Sequence, residues 1–121
     1  KIKLKNSNFD IKKVGNISFS KGLFDTRENK LFYTTDANLK INNQKEFYRL
    51  FVIPRENRID LKNIKFHLEK NLDNKQFTIS KIYFNNAKQQ GEKELDNSIK
   101  YEFTNIQQLR GIIRNSFQSI N

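Results

Sequence analysis

His67 is the only imidazole in this chain, and there is no cysteine. A zinc site draws three or four ligands from His, Cys and carboxylate side chains, so no metal centre is expected. In "KFHLEK" the histidine alternates with Phe66 and Leu68, which places it on the outward face of a strand. Glu92 and Glu94 could form an acid–base pair, but they sit in the polar stretch "NNAKQQGEKELDNS", where both are solvated and untuned. Ser98 and Ser116 have no evident base beside them. The chain carries neither a phosphate-cradling glycine loop nor a nucleophile elbow. Asn16-Ile17-Ser18 fits a glycosylation sequon, a tripeptide that chance supplies often. The expectation is a protein that does no covalent chemistry and needs no cofactor.

Non-covalent chemistry has more to work with. There are 23 basic and 13 acidic residues, a net charge of +10, which suits nucleic acid or an anionic surface. The Lys residues are scattered, with no basic run longer than Lys12-Lys13. Abundant Lys, Asn and Ile also match what an AT-rich genome encodes. "KFHLEK", "KIYFNN" and "FYRLF" mix rings with cations, as single-strand binders do. Phe66, however, shares its face with Ile64 and Leu68, and Phe77 shares its face with Ile79, so burial accounts for them better than base stacking. Arg49, Arg55 and Arg58 flank the densest aromatic segment and are candidates for contacting an anionic surface.

The elements that position these residues are mostly strands. Ile2 and Leu4, Phe9 and Ile11, then Ile17 and Phe19 alternate with polar residues, with a tight turn expected at Gly15-Asn16 and a strand end at Gly22. Leu31, Tyr33, Thr35, Ala37, Leu39 and Ile41 hold one phase, which predicts one long or gently bent strand. Asp36-Ala37-Asn38 could turn the chain there, but the phase never slips. Residues 59–72 and 76–84 read as a hairpin across "DNKQ", with Ile59 and Leu61 in one parity and Ile64, Phe66 and Leu68 in the other. The slip near Lys62-Asn63 predicts a β-bulge, and its partner slips between Ile79 and Ile82. Residues 85–98 read as a loop and 99–103 as a last strand.

Two segments change period. "NNQKEFYRLFVIPRENR" opens with Asn43 as N-cap and Glu46 three residues on, a capping-box spacing. Phe47, Leu50 and Phe51 follow at helical spacing, and Pro54 stops the element, which predicts a helix near 44–53. A helix this short needs packing to be stable, most simply against the sheet. The second helix spans 104–121, with a box at Thr104 and Gln107 and an apolar stripe of Ile106, Leu109, Ile113, Phe117 and Ile120. Arg110, Arg114 and Gln118 fall on its other face. The expected fold is α+β: one domain over 1–121, with a mostly antiparallel curved sheet in 1–103 and the helices packed on or beside it.

The strand faces Leu31, Tyr33, Leu39, Ile41, Ile64, Phe66, Leu68, Phe77 and Ile79 can line either a closed core or an acyl-chain groove. No apolar run approaches the ~20 residues that span a bilayer, and no signal peptide is visible. The chain has no Met, which leads us to expect an excised domain of a longer protein.

From "NFDIKKVGNISFSKG" through "KIYFNN", and at the helical end "NIQQLRGIIRNSFQSIN", the order and texture of the segments resemble the C-terminal part of AsmA-like proteins of AT-rich alphaproteobacteria. That resemblance implies a periplasmic section of a large, inner-membrane-anchored envelope protein. It implies a non-enzymatic role in phospholipid transport and outer-membrane biogenesis. Its implied partners are phospholipid or a membrane surface and other segments of the parent protein. The alternative is a basic module binding nucleic acid or an anionic surface.

Overall fold

The computed structural model describes residues 2–3, 7–86, 92–94 and 99–120. The side chains of Ile2, Leu4, Glu92, Glu94, Ser98 and Ile120 lie outside what it describes. Among the described residues there are nine strands: β1 (Ile2–Lys3), β2 (Ser7–Ile11), β3 (Gly15–Phe19), β4 (Leu23–Arg27), β5 (Lys30–Ile41), β6 (Leu61–Asn71), β7 (Phe77–Asn86), β8 (Glu92–Glu94) and β9 (Lys100–Phe103). Two α-helices join them, α1 (Gln44–Leu50) and α2 (Ile106–Ile120), with a 3₁₀ turn at Arg55–Asn57. Every strand pairing is antiparallel, so the fold is α+β.

The long strand β5 is the spine. β6 runs along one of its edges, while β3 and β4 share the other end to end. β7 follows β6 and carries β8 and β9 on its far edge in the same end-to-end way. The expected phase holds, and β5 is one unbroken strand of 12 residues. β4 had no strong sequence signal. It continues β3 past a kink, where the Ser20 amide donates to the Asp36 carbonyl at 2.9 Å and Thr35 Oγ1 donates to the Ser20 carbonyl at 2.7 Å.

Both slips inferred for the β6–β7 hairpin are present, one between Leu61 and Asn63 and one between Lys65 and His67. The second is a bulge on the β7 side, where Lys81 takes φ 53°. Such bulges bend the strand that carries them. They also let Ile79 and Ile82, of opposite parity, both be buried, at 3% and 1% exposure.

Several boundaries differ from the expectations. The β2–β3 turn is Lys12–Val14, with Lys13 at φ 67°, and Gly15-Asn16 already belongs to β3. Gly15 serves close approach instead: a Cβ there would lie 1.9 Å from the Lys40 carbonyl oxygen. The hairpin's first strand starts at Leu61, because the 3₁₀ turn holds the chain out of the sheet and leaves Ile59 in a loop. Within the expected loop 85–98, Glu92–Glu94 pairs with β7, since ladder hydrogen bonds require no apolar side chains.

Helix α1 ends at Leu50, short of residue 53. The Ile53 amide donates to the Tyr48 carbonyl and the Val52 amide to the Arg49 carbonyl, with Val52 at φ 54°. That is a Schellman C-cap with valine where glycine is usual. Asn43 Oδ1 accepts from the Glu46 amide at 3.2 Å as expected. The reciprocal half of that box is replaced: the Asn43 amide donates to the Val14 carbonyl instead. The α2 box lies one residue later than expected. Asn105 Oδ1 accepts from the Gln108 amide, and Gln108 Oε1 reaches back to the Thr104 amide.

Both helices lie on one face of the sheet, and aromatic rings join them. Phe117 of α2 meets Phe84 of β7 at a centroid distance of 4.7 Å, and Phe47 and Tyr48 of α1 at 5.9 Å each. Phe47, Phe84 and Phe117 are fully buried, each contributing about 1.5–3 kcal/mol of apolar transfer. The opposite face is polar and carries an amide ladder, Asn85 to Asn63 at 2.8 Å and Asn63 to Asn38 at 2.6 Å.

Candidate functional site

An apolar cavity of about 200 Å³ lies between the sheet and the two helices. Its floor is Leu39, Ile64, Phe66, Leu68, Phe77 and Ile79, six of the nine strand residues singled out in the sequence. Ile11, Ile17 and Phe19 close one flank and Phe103 the other. The roof comes from Phe47 of α1, from Phe51 at its C-cap and from Leu109 and Ile113 of α2. Every described lining residue is apolar.

The register explains the convergence. Leu39 pairs with Ile64 and Ile17, Leu68 with Ile79, and Phe77 with Phe103, so one sheet face gathers apolar side chains from five strands. Phe77 and Phe103 stack at 5.3 Å with planes 10° apart, and the Lys70 ammonium lies 5.3 Å from the Phe77 centroid. A cation therefore stands beside one end of the cavity.

The remaining candidates fall elsewhere. Ile41 is buried in the core, 9% exposed, but does not line the cavity. Tyr33 packs on Phe24 at 5.3 Å and on Gly22, where any Cβ would collide with its ring. Leu31 is 38% exposed, because the start of β5 runs past the cover of both helices. Leu50 of α1 is half-buried against the core. In α2, Ile106 is 53% exposed and burial starts only at Leu109, because the first turn stands clear of the sheet. Arg110, expected outside, is half-buried, since it lies three residues before Ile113 on the flank of the stripe.

Outside α1 a second, surface cleft of about 410 Å³ is lined by Lys45, Tyr48, Arg49, Val52, Ile53, Pro54 and Arg58. It brings Arg49 and Arg58 together; Arg55, in the 3₁₀ turn, does not line it. Arg58 is held in place by a 3.0 Å bond from its Nε to the Ile53 carbonyl, with its guanidinium carbon 5.1 Å from the Tyr48 centroid. The Tyr48 hydroxyl donates to the Ile59 carbonyl. Burial pushes the Tyr48 phenol above its ordinary pKa.

The polar face holds a third hollow, of about 430 Å³, with Lys65, His67, Lys81 and Tyr83 on its walls. His67 Nδ1 lies 2.9 Å from Asp36 Oδ1. That partner was not found in the sequence, since only the β5–β6 register sets Asp36 opposite His67. Ser80 faces His67 on the other side. Among the described residues no hydrogen bond joins its hydroxyl to the imidazole, so the row lacks the coupling a nucleophile needs. Ser116 donates to the Ile112 carbonyl at 2.7 Å within α2.

Among the described residues no group of three or more His, Cys, Asp or Glu side chains could hold a metal. No described helix is long and apolar enough to cross a membrane. No protein-family model, no curated protein and no solved structure matches the chain.

Proposed function

We propose that this chain is a non-enzymatic, lipid-contacting module whose cavity takes a hydrocarbon segment of a lipid, and that it forms one section of a periplasmic AsmA-like envelope protein active in phospholipid transport. The observation that carries the lipid reading is the cavity of about 200 Å³ with no polar residue among the described residues of its lining. Native interiors leave few voids larger than a water molecule. The space is partly open to solvent; its apolar walls offer water no partners, and an enclosed apolar void of about 150 Å³ takes up benzene. Hydrocarbon is the occupant that such walls stabilise. The envelope assignment is supported by the segment order set out under Sequence analysis.

The size of the space sets the expected affinity. If a methylene needs about the ~30 Å³ share of a water, the cavity of about 200 Å³ holds roughly seven of them. At about 0.8 kcal/mol each, that is about 5–6 kcal/mol, a dissociation constant on the order of 0.1 mM. The test is mass spectrometry of lipids extracted from the purified protein, together with titration by a fluorescent fatty acid. Saturable binding near that affinity supports the reading. No co-purified lipid and no saturation at millimolar probe leave a purely structural role. Turnover of any substrate that disappears on changing one polar residue overturns the non-enzymatic reading.

A further inference from the structure

The outer side of α1 bears on how the protein meets a membrane. Among the described residues three cations, Lys45, Arg49 and Arg58, line the 410 Å³ cleft, and no carboxylate does. Glu46 reaches Arg49 at 3.4 Å, but the arginine side chain is 68% exposed, and an ion pair so exposed does little to neutralise it. Among these cations stands Val52, 60% exposed and at φ 54°. A β-branched side chain in that region is strained, and glycine would fit without steric strain. Folding thus gains little from this valine, whereas an apolar side chain among cations is what enters a headgroup interface.

We propose that the corner formed by α1 and the following 3₁₀ turn docks on an anionic phospholipid bilayer, with Val52 inserted among the headgroups and Lys45, Arg49 and Arg58 on the phosphates. This deepens the lipid-contacting reading and rests on it. Phe47 on the inner side of the same helix, and Phe51 at its C-cap, line the apolar cavity. A docked α1 therefore separates the bilayer from the acyl site by the thickness of one helix.

The experiment is flotation with vesicles of neutral phosphatidylcholine and with vesicles also containing phosphatidylglycerol, at low and high salt. The protein should float with the anionic vesicles alone, and less as salt rises. Lys45→Gln and Arg49→Gln should each lower the partition coefficient about fivefold. The control is Lys75→Gln, in the β6–β7 turn. It lies beyond the far end of β6, an 11-residue strand spanning roughly 36 Å, and should leave partitioning within about twofold if charge position matters. Val52→Gly should raise the melting midpoint yet lower partitioning severalfold, a split that a merely structural valine would not produce. Equal flotation with neutral vesicles, or the same loss from Lys75→Gln as from Arg49→Gln, overturns the proposal. Fatty-acid titration keeps the two readings apart. Vesicle association without fatty-acid binding sinks the acyl site and leaves docking standing, whereas fatty-acid binding without vesicle association sinks docking alone.

Discussion

Filling the cavity should strengthen the fold and weaken lipid binding together. Leu68 stands on the floor and Leu109 on the roof, both half-buried. At about 24 cal/mol per Å³ of enclosed cavity, a partly open space of about 200 Å³ represents at most about 5 kcal/mol of missing packing. Each Leu→Phe change adds somewhat less than the ~30 Å³ share of a water, worth about 0.5 kcal/mol of regained contact. The double variant Leu68→Phe/Leu109→Phe should therefore gain about 1 kcal/mol in urea unfolding at unchanged slope. It should also displace about two methylenes of ligand, about 1.6 kcal/mol, and weaken fatty-acid binding roughly fifteenfold. The competing effect is overpacking, which costs about 1–3 kcal/mol where no room exists. A double variant destabilised by more than about 1 kcal/mol that still binds fatty acid with native affinity would refute the reasoning, because the rings would then have met filled core.

Three further outcomes are expected. Phe117→Ala, which removes a fully buried ring that touches Phe47, Tyr48 and Phe84, should cost about 3–5 kcal/mol; a loss under about 1 kcal/mol in urea melts would mean that α2 does not seat on the sheet. Val52→Gly relieves a left-handed valine at φ 54°, about 1–2 kcal/mol, offset by about 0.5–1 kcal/mol of extra chain entropy, so urea melts should show a net gain of up to about 1.5 kcal/mol. Burial raises the Tyr48 phenol above its ordinary pKa of 10.0, so the neutral ring's contribution is fully present below that pH and is lost as pH rises through the folded value. Stability measured across alkaline pH should fall there, and Tyr48→Phe should flatten that fall while costing about 1 kcal/mol at neutral pH through the lost bond to Ile59; an unchanged alkaline profile would refute the assignment.

Local pattern was enough to establish the elements. The unbroken phase from Leu31 to Ile41 determined one long strand, the parity changes around Lys62 and Lys81 determined both bulges, and the spacing of Phe47, Leu50 and Phe51 determined a short helix. These follow from side-chain periodicity, a property of consecutive residues. The apolar face was legible for the same reason, as six of its nine named residues line the cavity. Whether that face closes into core or leaves a space was decided only by tertiary structure. It depends on how far α1 and α2 stand from the sheet, and the Phe84, Phe117 and Phe47 rings hold them there. Pairing likewise set Asp36 beside His67, and the Val52 cap set Arg49 beside Arg58 across the turn. No periodicity encodes either juxtaposition, because each joins residues whose separation in the chain is bridged by register or by a single left-handed backbone angle.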